Sequence, residues 1–388
     1  MNVSLKYKKT DTLAYYPFPF EVPKDTERIE IIVRNDSKIN GIDISLESPE
    51  GFQGWSGGTL SQIIIASDFA SEGYFPGIQE GQWQLLIGLA KLYEDNSIEA
   101  EIICHQPDTR WLAGDLHMHS IHSDGIYTVP EVMNHVKEAG LDFMALTDHN
   151  AMSGHHELSH NIGLIHIPGV ELTSYYGHAN VWNIEEPLKN VIFNNDDELT
   201  RIIKSLPATA MLSINHPFFK DTWKLSLNHP FTHIEVWNAF WDQGNYDCIQ
   251  WWHDVLCEGR KLIAVGGSDA HGKHPDKWFG YPTTRVKSDS LTKEGILEGL
   301  REGKVCICYS PKSPYLEFIK NSEKVSILIH QFSPCKLRLF TDKGLLSEEI
   351  LMESSVHDYT FEGYRFIRGE LWQLEENIPF AISNPLWF

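Results

Sequence analysis

The segment Asp115-Leu-His117-Met-His119, with Asp124 one short loop later, carries the densest chemistry in the chain. Two histidines two residues apart on an extended segment project to the same side. Downstream stand Thr147-Asp148-His149-Asn150, Gly169-Val-Glu171, His178, Asn215-His216-Pro217 and Ser268-Asp269-Ala-His271. Imidazoles and carboxylates collected from the ends of several apolar runs suit a hydrolytic centre holding more than one divalent metal. Of the 19 histidines only His105, His330 and His357 fall outside the span from His117 to His274, so the chemistry belongs to the middle of the chain.

The elements that must position these residues alternate strand and helix from residue 109 to about 310. Candidate strands cover 112–117, 143–147, 165–171, 178–183, 210–215, 233–237 and 261–266. The first intervening helix opens on the capping box Thr128-x-x-Glu131 with Pro130 in its first turn, and Gly140 follows its last turn. Leu199, Ile202, Ile203 and Leu206 form a helical apolar stripe, residues 245–258 read as a Trp-rich helix ended by Gly259, and Ser290 is placed to cap another. Repeated β-α units imply a parallel sheet, and seven of them a closed or nearly closed barrel. His117 and His119 end the first strand, His149 the second, Glu171 the third, His216 the fifth, and Asp269 and His271 the seventh. Barrel enzymes work at that strand end. His178 is the exception, since it opens the fourth strand.

Residues 1–108 read as all-β. Alternating runs such as Ile29-Glu-Ile-Ile-Val33 and Trp83-Gln-Leu-Leu-Ile87 are separated by turn residues, and we expect a β-sandwich. Residues 311–388 return to alternating runs and read as a second small β domain. The expected fold class is therefore α/β: a distorted seven-stranded TIM-like (β/α) barrel between N-terminal and C-terminal β-sandwich-like domains.

A formal charge of -21 disfavours long nucleic acid as a partner, because phosphate backbones bind basic surfaces. It leaves room for a small phosphorylated substrate, since cations at a metal site override the global field locally. The six cysteines form no CxxC pair and read as reduced thiols. The first residues lack an apolar leader and no run approaches a membrane span. A cytoplasmic protein with no membrane partner is expected.

Taken together, Asp115-Leu-His117-Met-His119-Ser120, Ser123-Asp124-Gly125, Thr147-Asp148-His149-Asn150, Gly169-Val-Glu171, Asn215-His216-Pro217 and Ser268-Asp269-Ala-His271 resemble the polymerase-and-histidinol-phosphatase (PHP) family of metal-dependent phosphoesterases. The resemblance covers roughly residues 111–310. Trp111-Leu-Ala-Gly114 and the flanking β segments are similar to the branch that includes carbamate-ester hydrolases. The resemblance implies the distorted barrel and two or three divalent ions, manganese, iron or zinc. It implies that His117, His119 and Asp269 bind one metal, that Glu171 bridges it to a second held by His178 and His216, and that Asp124, His149 and His271 hold a third. Two oxygens let Glu171 span neighbouring cations.

Around that ligand set, Asp148 and Asp115 are expected to orient imidazoles, and Asn150 and Asn238 to donate hydrogen bonds near the mouth. The expected reaction is hydrolysis of a small phosphorylated metabolite or short nucleotide by a metal-bridging hydroxide. The alternative is hydrolysis of carboxylic or carbamic esters at the same site. A glycan-binding role for the N-terminal sandwich and polymerase proofreading are the weaker readings. Other residues read as structural or surface groups: His122 as solvent-facing, His155, His156 and His160 as part of a polar helix or loop, His135 as a helix-surface partner of Glu131, and His229, His233 and His253 as structural. The cluster Trp237, Trp241, Trp251 and Trp252 reads as packing. His274 is placed to line the entrance, and Lys220, Lys273 and Arg285 are near enough to the motifs in sequence to contact phosphate.

Overall fold

The computed structural model describes residues 1–388 except 58, 59, 68, 159–162, 221, 273–278, 322, 323 and 361; His160, Lys273 and His274 thus lie outside the described residues. Two compact units divide the chain: residues 1–110 with 159–165 and 289–295, and residues 111–158 with 166–288 and 296–388.

The first unit is built from β1 Asn2–Tyr7, β2 Ala14–Val22, β3 Arg28–Asn35, β4 Gly41–Ser48, β5 Gly51–Ser56, β6 Gln62–Ala66, β7 Gly81–Lys91 and β8 Asn96–His105. They form two antiparallel four-stranded sheets, β1-β8-β3-β6 and β2-β7-β4-β5. Alternating residues of both sheets, including Ile29, Ile31, Ile44, Leu46, Trp83, Leu85 and Ile87, fill one core, which makes the unit a sandwich. Pro17 and Pro19 sit in β2, an edge strand, where a missing N–H leaves no gap in the ladder.

The second unit carries the motifs. From residue 110 to 308 the chain forms β9 Arg110–Asp115, α1 Val129–Glu138, β10 Phe143–Met144, β11 Ile165–His166, β12 Gly169–Ser174, β13 Gly177–Trp182, α2 Asp196–Ser205, β14 Met211–Ile214, β15 His233–Asn238, α3 Asn245–Cys257, β16 Ile263–Gly267, β17 Thr283–Ser288, α4 Lys293–Arg301 and β18 Val305–Cys308. The helix α1 begins where its capping box requires, with the Thr128 N–H donating to Glu131 Oε2 at 2.8 Å. At α4 the cap is Thr292, whose hydroxyl accepts from the Gly295 N–H at 3.1 Å, rather than the expected Ser290.

Strands β12 to β16 form one sheet in chain order, and β9 and β10 pair in parallel in another. At Gly114 a Cβ would come within 2.3 Å of the Phe143 ring, so the close approach of β9 and β10 depends on glycine. The mixed α/β class holds, with many strands and, among the described residues, four α-helices. The described ladders do not close into the expected barrel, and the repeat is interrupted for two local reasons. Only Tyr175 and Tyr176 separate β12 from β13, too few residues for a helical crossover, so the pair is antiparallel. Pro168 cannot donate to a ladder, and the expected strand 165–171 is split into β11 and β12 around it. Two isolated parallel bridges, His149 with Glu171 and Met118 with Ala270, link the two sheets at the level of the motifs.

The chain then adds β19 Tyr315–Lys320, β20 Lys324–His330, β21 Cys335–Thr341, β22 Gly344–Leu351, β23 His357–Thr360, β24 Phe366–Trp372, β25 Pro379–Ser383 and β26 Leu386–Trp387. Of these, β25, β24, β21 and β22 continue the sheet that runs from β9 through β17 and β18. The six cysteines are free thiols. Among the described residues no helix is long and apolar enough to cross a membrane.

Candidate metal centre

Nine side chains from separate strand ends and loops meet at one place. They form four overlapping groups: His117, Glu171 and His216; His117, His119 and Asp269; His149, Glu171 and His178; and His119, Asp124, His149 and His271. All nine residues expected as ligands are brought together. His178 is no exception after all: β13 runs antiparallel to β12 and sets His178 opposite Thr173, two residues beyond Glu171.

Glu171 is the hub. Its Oε1 lies 3.2 Å from His117 Nε2, 3.3 Å from His178 Nδ1 and 3.5 Å from His216 Nε2. Its Oε2 lies 2.7 Å from His149 Nδ1 and 3.5 Å from His119 Nε2. Asp269 Oδ1 is 3.1 Å from His119 Nε2 and 3.3 Å from His117 Nε2. On the outer side Asp124 Oδ1 is 3.2 Å from His271 Nε2 and 3.6 Å from His149 Nε2. Exposure rises along the cluster: His117, His119 and Glu171 are buried, whereas the side chains of Asp124 and His271 are 57% and 37% exposed.

The backbone at the cluster is unusual. His216, Asp269 and Asn150 are non-glycine residues with φ of 31°, 53° and 53°. Each such residue costs on the order of 1–3 kcal/mol, and this kind of strain gathers at functional sites. Here it turns the chain sharply where a strand ends and a ligand begins.

Charge balance within the cluster is internal. Burial alone would raise the Glu171 and Asp269 carboxyls; the surrounding imidazoles, His117 first among them, outweigh it and hold both well below the usual carboxylate range. Burial opposes charge on His117 too, but Asp269, Glu171 and Glu235 raise it well above an ordinary histidine. At His119 burial wins and the imidazole is pushed down. This arrangement fits a cation. His117 Nε2, His119 Nδ1 and Glu171 Oε2 are buried without a hydrogen-bond partner, even though opposite charges stand within ion-pair distance. Buried polar atoms left unpaired are costly, and a divalent ion satisfies nitrogen and oxygen lone pairs together.

The residues around the ligands are placed differently from the sequence-based expectation. Asp148 does not touch an imidazole within this network. Its carboxylate accepts from the Ser120 N–H (2.8 Å), the Ser120 hydroxyl (2.7 Å) and the Ser123 hydroxyl (2.6 Å), and so ties down the loop that carries Asp124. Asp115 accepts from the backbone N–H groups of His117, Ser268 and Gly280; burial pushes its carboxyl up to about 6 against those bonds. The Asn150 amide is engaged with the Thr173 backbone in both directions, at 2.9 Å each. Asn238 donates to Glu235 Oε2 (3.0 Å) and to Asp269 Oδ2 (3.3 Å).

Two residues to which the motif reading gave no role prove central. Asn215 donates to Glu171 Oε1 at 2.9 Å, and Glu235 Oε1 sits 2.9 Å from His117 Nδ1. A lone carboxylate inside the apolar strand His-Ile-Glu-Val-Trp-Asn was the available signal, since a buried acid needs partners. Among the other residues, His122 bridges Ser153 and Glu157, and His135 lies beside Glu138 while its charge also acts on the expected Glu131. Arg285 is buried, stacks on Tyr315 and donates to the Pro311 carbonyl, so its role is structural and not phosphate contact. Exposed Lys220 lies over the Phe219 ring, and that ring packs edge-on against His216. Trp237 and Trp252 are core residues.

Residues 115–225 match the family model of the PHP domain. The chain carries a PHP domain. Together with the ligand cluster, most of which it contributes, that domain makes the protein a metal-dependent hydrolase. Asp269 and His271 lie beyond the matched residues. No curated protein matches the sequence. Among solved structures, a two-domain protein from Bacteroides vulgatus containing a predicted PHP-like metal-dependent phosphoesterase is similar over 72% of this chain and 97% of its own, at 20% identity and a TM-score of 0.45. An amidohydrolase from Chromobacterium violaceum is similar over 49% of this chain and 96% of its own, at 16% identity and a TM-score of 0.31.

Proposed function

We propose that the protein is a metal-dependent phosphoesterase acting on a small phosphorylated metabolite or a short nucleotide. The observation that carries this reading is the burial gradient across the cluster. The inner groups around Glu171 are closed to solvent, while Asp124 and His271 open outward. A substrate's oxygens would thus meet the site from the Asp124 side. Two or three manganese, iron or zinc ions bound there would lower the pKa of a water and neutralise the oxygens of a phosphoryl group. They would also supply the positive charge that the chain, at a net -21, does not offer an anion.

His117, His119 and Asp269 would hold one ion, Glu171 with His178 and His216 a second, and Asp124, His149 and His271 a third. The chain's remaining work is positioning. Asp148 holds the Asp124 loop through Ser120 and Ser123, Asn150 pins Thr173 beside Glu171, and Asn238 steadies Asp269. We read residues 109–310 as the hydrolytic part, with 1–108 and 311–388 as β-rich flanks. The strands around the ligands would form a distorted barrel, closed through the bridges His149–Glu171 and Met118–Ala270 instead of continuous ladders.

The test strips the protein with a chelator, reloads it with manganese, iron or zinc, and assays bis-(p-nitrophenyl) phosphate, p-nitrophenyl phosphate and p-nitrophenyl acetate in parallel. Metal-dependent phosphoester turnover is expected. Turnover of the acetate alone would overturn the phosphoesterase reading in favour of acyl or carbamic esters.

A further inference from the structure

Glu235 stands in the middle of β15, 2% exposed, and none of the sequence motifs includes it. Its two oxygens collect three donors. Oε1 lies 2.9 Å from His117 Nδ1. Oε2 accepts from the His216 backbone N–H at 3.1 Å and from Asn238 Nδ2 at 3.0 Å. That same Asn238 nitrogen reaches Asp269 Oδ2 at 3.3 Å. One carboxylate is therefore joined to His117, His216 and Asp269, which come from three distant parts of the chain.

We propose that Glu235 is a positioning residue for the metal centre: it fixes His117 in the tautomer that ligates through Nε2, and it ties the His216 turn and Asp269 to the same anchor. The inference rests on the metal-dependent reading of the site and is independent of which ester is cleaved.

The chemistry follows from the donor and acceptor inventory. An ionised carboxylate only accepts, so the proton shared with His117 sits on Nδ1 and the Nε2 lone pair is left for a cation. His117 Nε2 is buried without a hydrogen-bond partner, and it faces Glu171 and Asp269. The space for this contact is built in. A Cβ at Gly267 would fall 2.3 Å from Glu235 Oε1 and 2.4 Å from His117 Cβ, so β16 must present glycine there. A carboxylate kept only for packing would have no reason to gather its hydrogen bonds from metal ligands and their neighbours.

Glu235→Gln preserves the shape and breaks the pattern. A carboxamide offers one acceptor and one donor where three donors converge. If its oxygen faces His216 and Asn238, its NH2 faces His117 Nδ1 and drives the proton to Nε2. The opposite orientation sets the NH2 against the His216 N–H and the Asn238 amide. Either way a ligand is misplaced.

The experiment titrates chelator-stripped wild-type and E235Q protein with Zn2+ in competition with a chromophoric chelator, and records the thermal melt of both stripped proteins. The expected result is a loss of Zn2+ affinity of about 10- to 100-fold in E235Q. Affinity within twofold of wild type would overturn the proposal, and so would a lowered melt with affinity unchanged, the pattern of a purely structural residue. Failure of the wild type itself to bind Zn2+ would overturn the metal reading and this inference together. Should E235Q not fold, histidine-15N spectra of the Zn2+-loaded wild type decide: a proton on His117 Nδ1 and none on Nε2 supports the proposal, and the reverse overturns it.

Discussion

Asp148 shows how a side chain can matter to a site it does not enter. Three hydrogen bonds from Ser120 and Ser123 end on its carboxylate, and the loop they fix presents Asp124 to His149 and His271. Asp148→Ala frees that loop. The expected outcome is a loss of about 10- to 100-fold in affinity at the outer group, by analogy with other residues that orient ligands, while the buried groups around Glu171 keep their metal. Titration of the stripped variant should show fewer tight equivalents per chain than wild type; an unchanged isotherm would refute the role. At this scale the nine clustered residues were legible because imidazoles and carboxylates at the ends of apolar runs have few other uses. The roles of Glu235 and Asn215 were not. Both residues lie inside or at the tip of strands, where a polar residue announces that it has a partner and does not say which one.

Elements were legible where local chemistry decides them. Helix α1 starts at its capping box and stops before Gly140, as Thr128, Glu131 and Gly140 suggest. Strand direction was harder. The turn at Tyr175 and Tyr176 forces β13 to run back along β12, and a reading based on repeated units passes over a two-residue link. Strand β24 shows a further element-level feature, a buried ion pair. Arg368 is fully buried with Nη1 2.7 Å from Glu370 Oε1, and Glu370 Oε2 accepts from the Trp372 indole at 2.8 Å. Arg368→Met keeps apolar volume beside Phe340 and Trp252 but leaves a buried carboxylate unpaired. Urea titration should show a loss of about 3–5 kcal/mol. The double variant Arg368→Met, Glu370→Gln removes the charge and still accepts from Trp372, so it should recover at least half of that loss. A double variant as unstable as the single one would show that the pair's charge is not the cause.

For the whole molecule, the pairing of distant strands was the least legible feature. Cys306 opposes Ser383 across β18 and β25, a contact set by packing between segments far apart in sequence, with no local signal to announce it. The consequence that reaches the whole fold is acid sensitivity. His233 is fully buried under Trp182, and burial pushes its imidazole down from 6.5 to about 4 against one backbone hydrogen bond to Leu300. The unfolded chain therefore takes up this proton first. The contribution of neutral His233 to stability is complete above pH 6.5 and is lost as the pH falls from 6.5 towards 4. Integrated over that window it amounts to about 3 kcal/mol. His253 is lowered to about 4 as well, by burial first and by Arg368 second, and adds to the same acid limb. Replacing His233 with Gln removes one titrating group from the native state. Stability of the metal-stripped protein, measured by urea titration between pH 4 and 7, should then fall less steeply with acid in the variant than in wild type. Equal slopes would mean that His233 opens to solvent or finds a counter-charge before the molecule unfolds, and that the acid limb belongs to other groups.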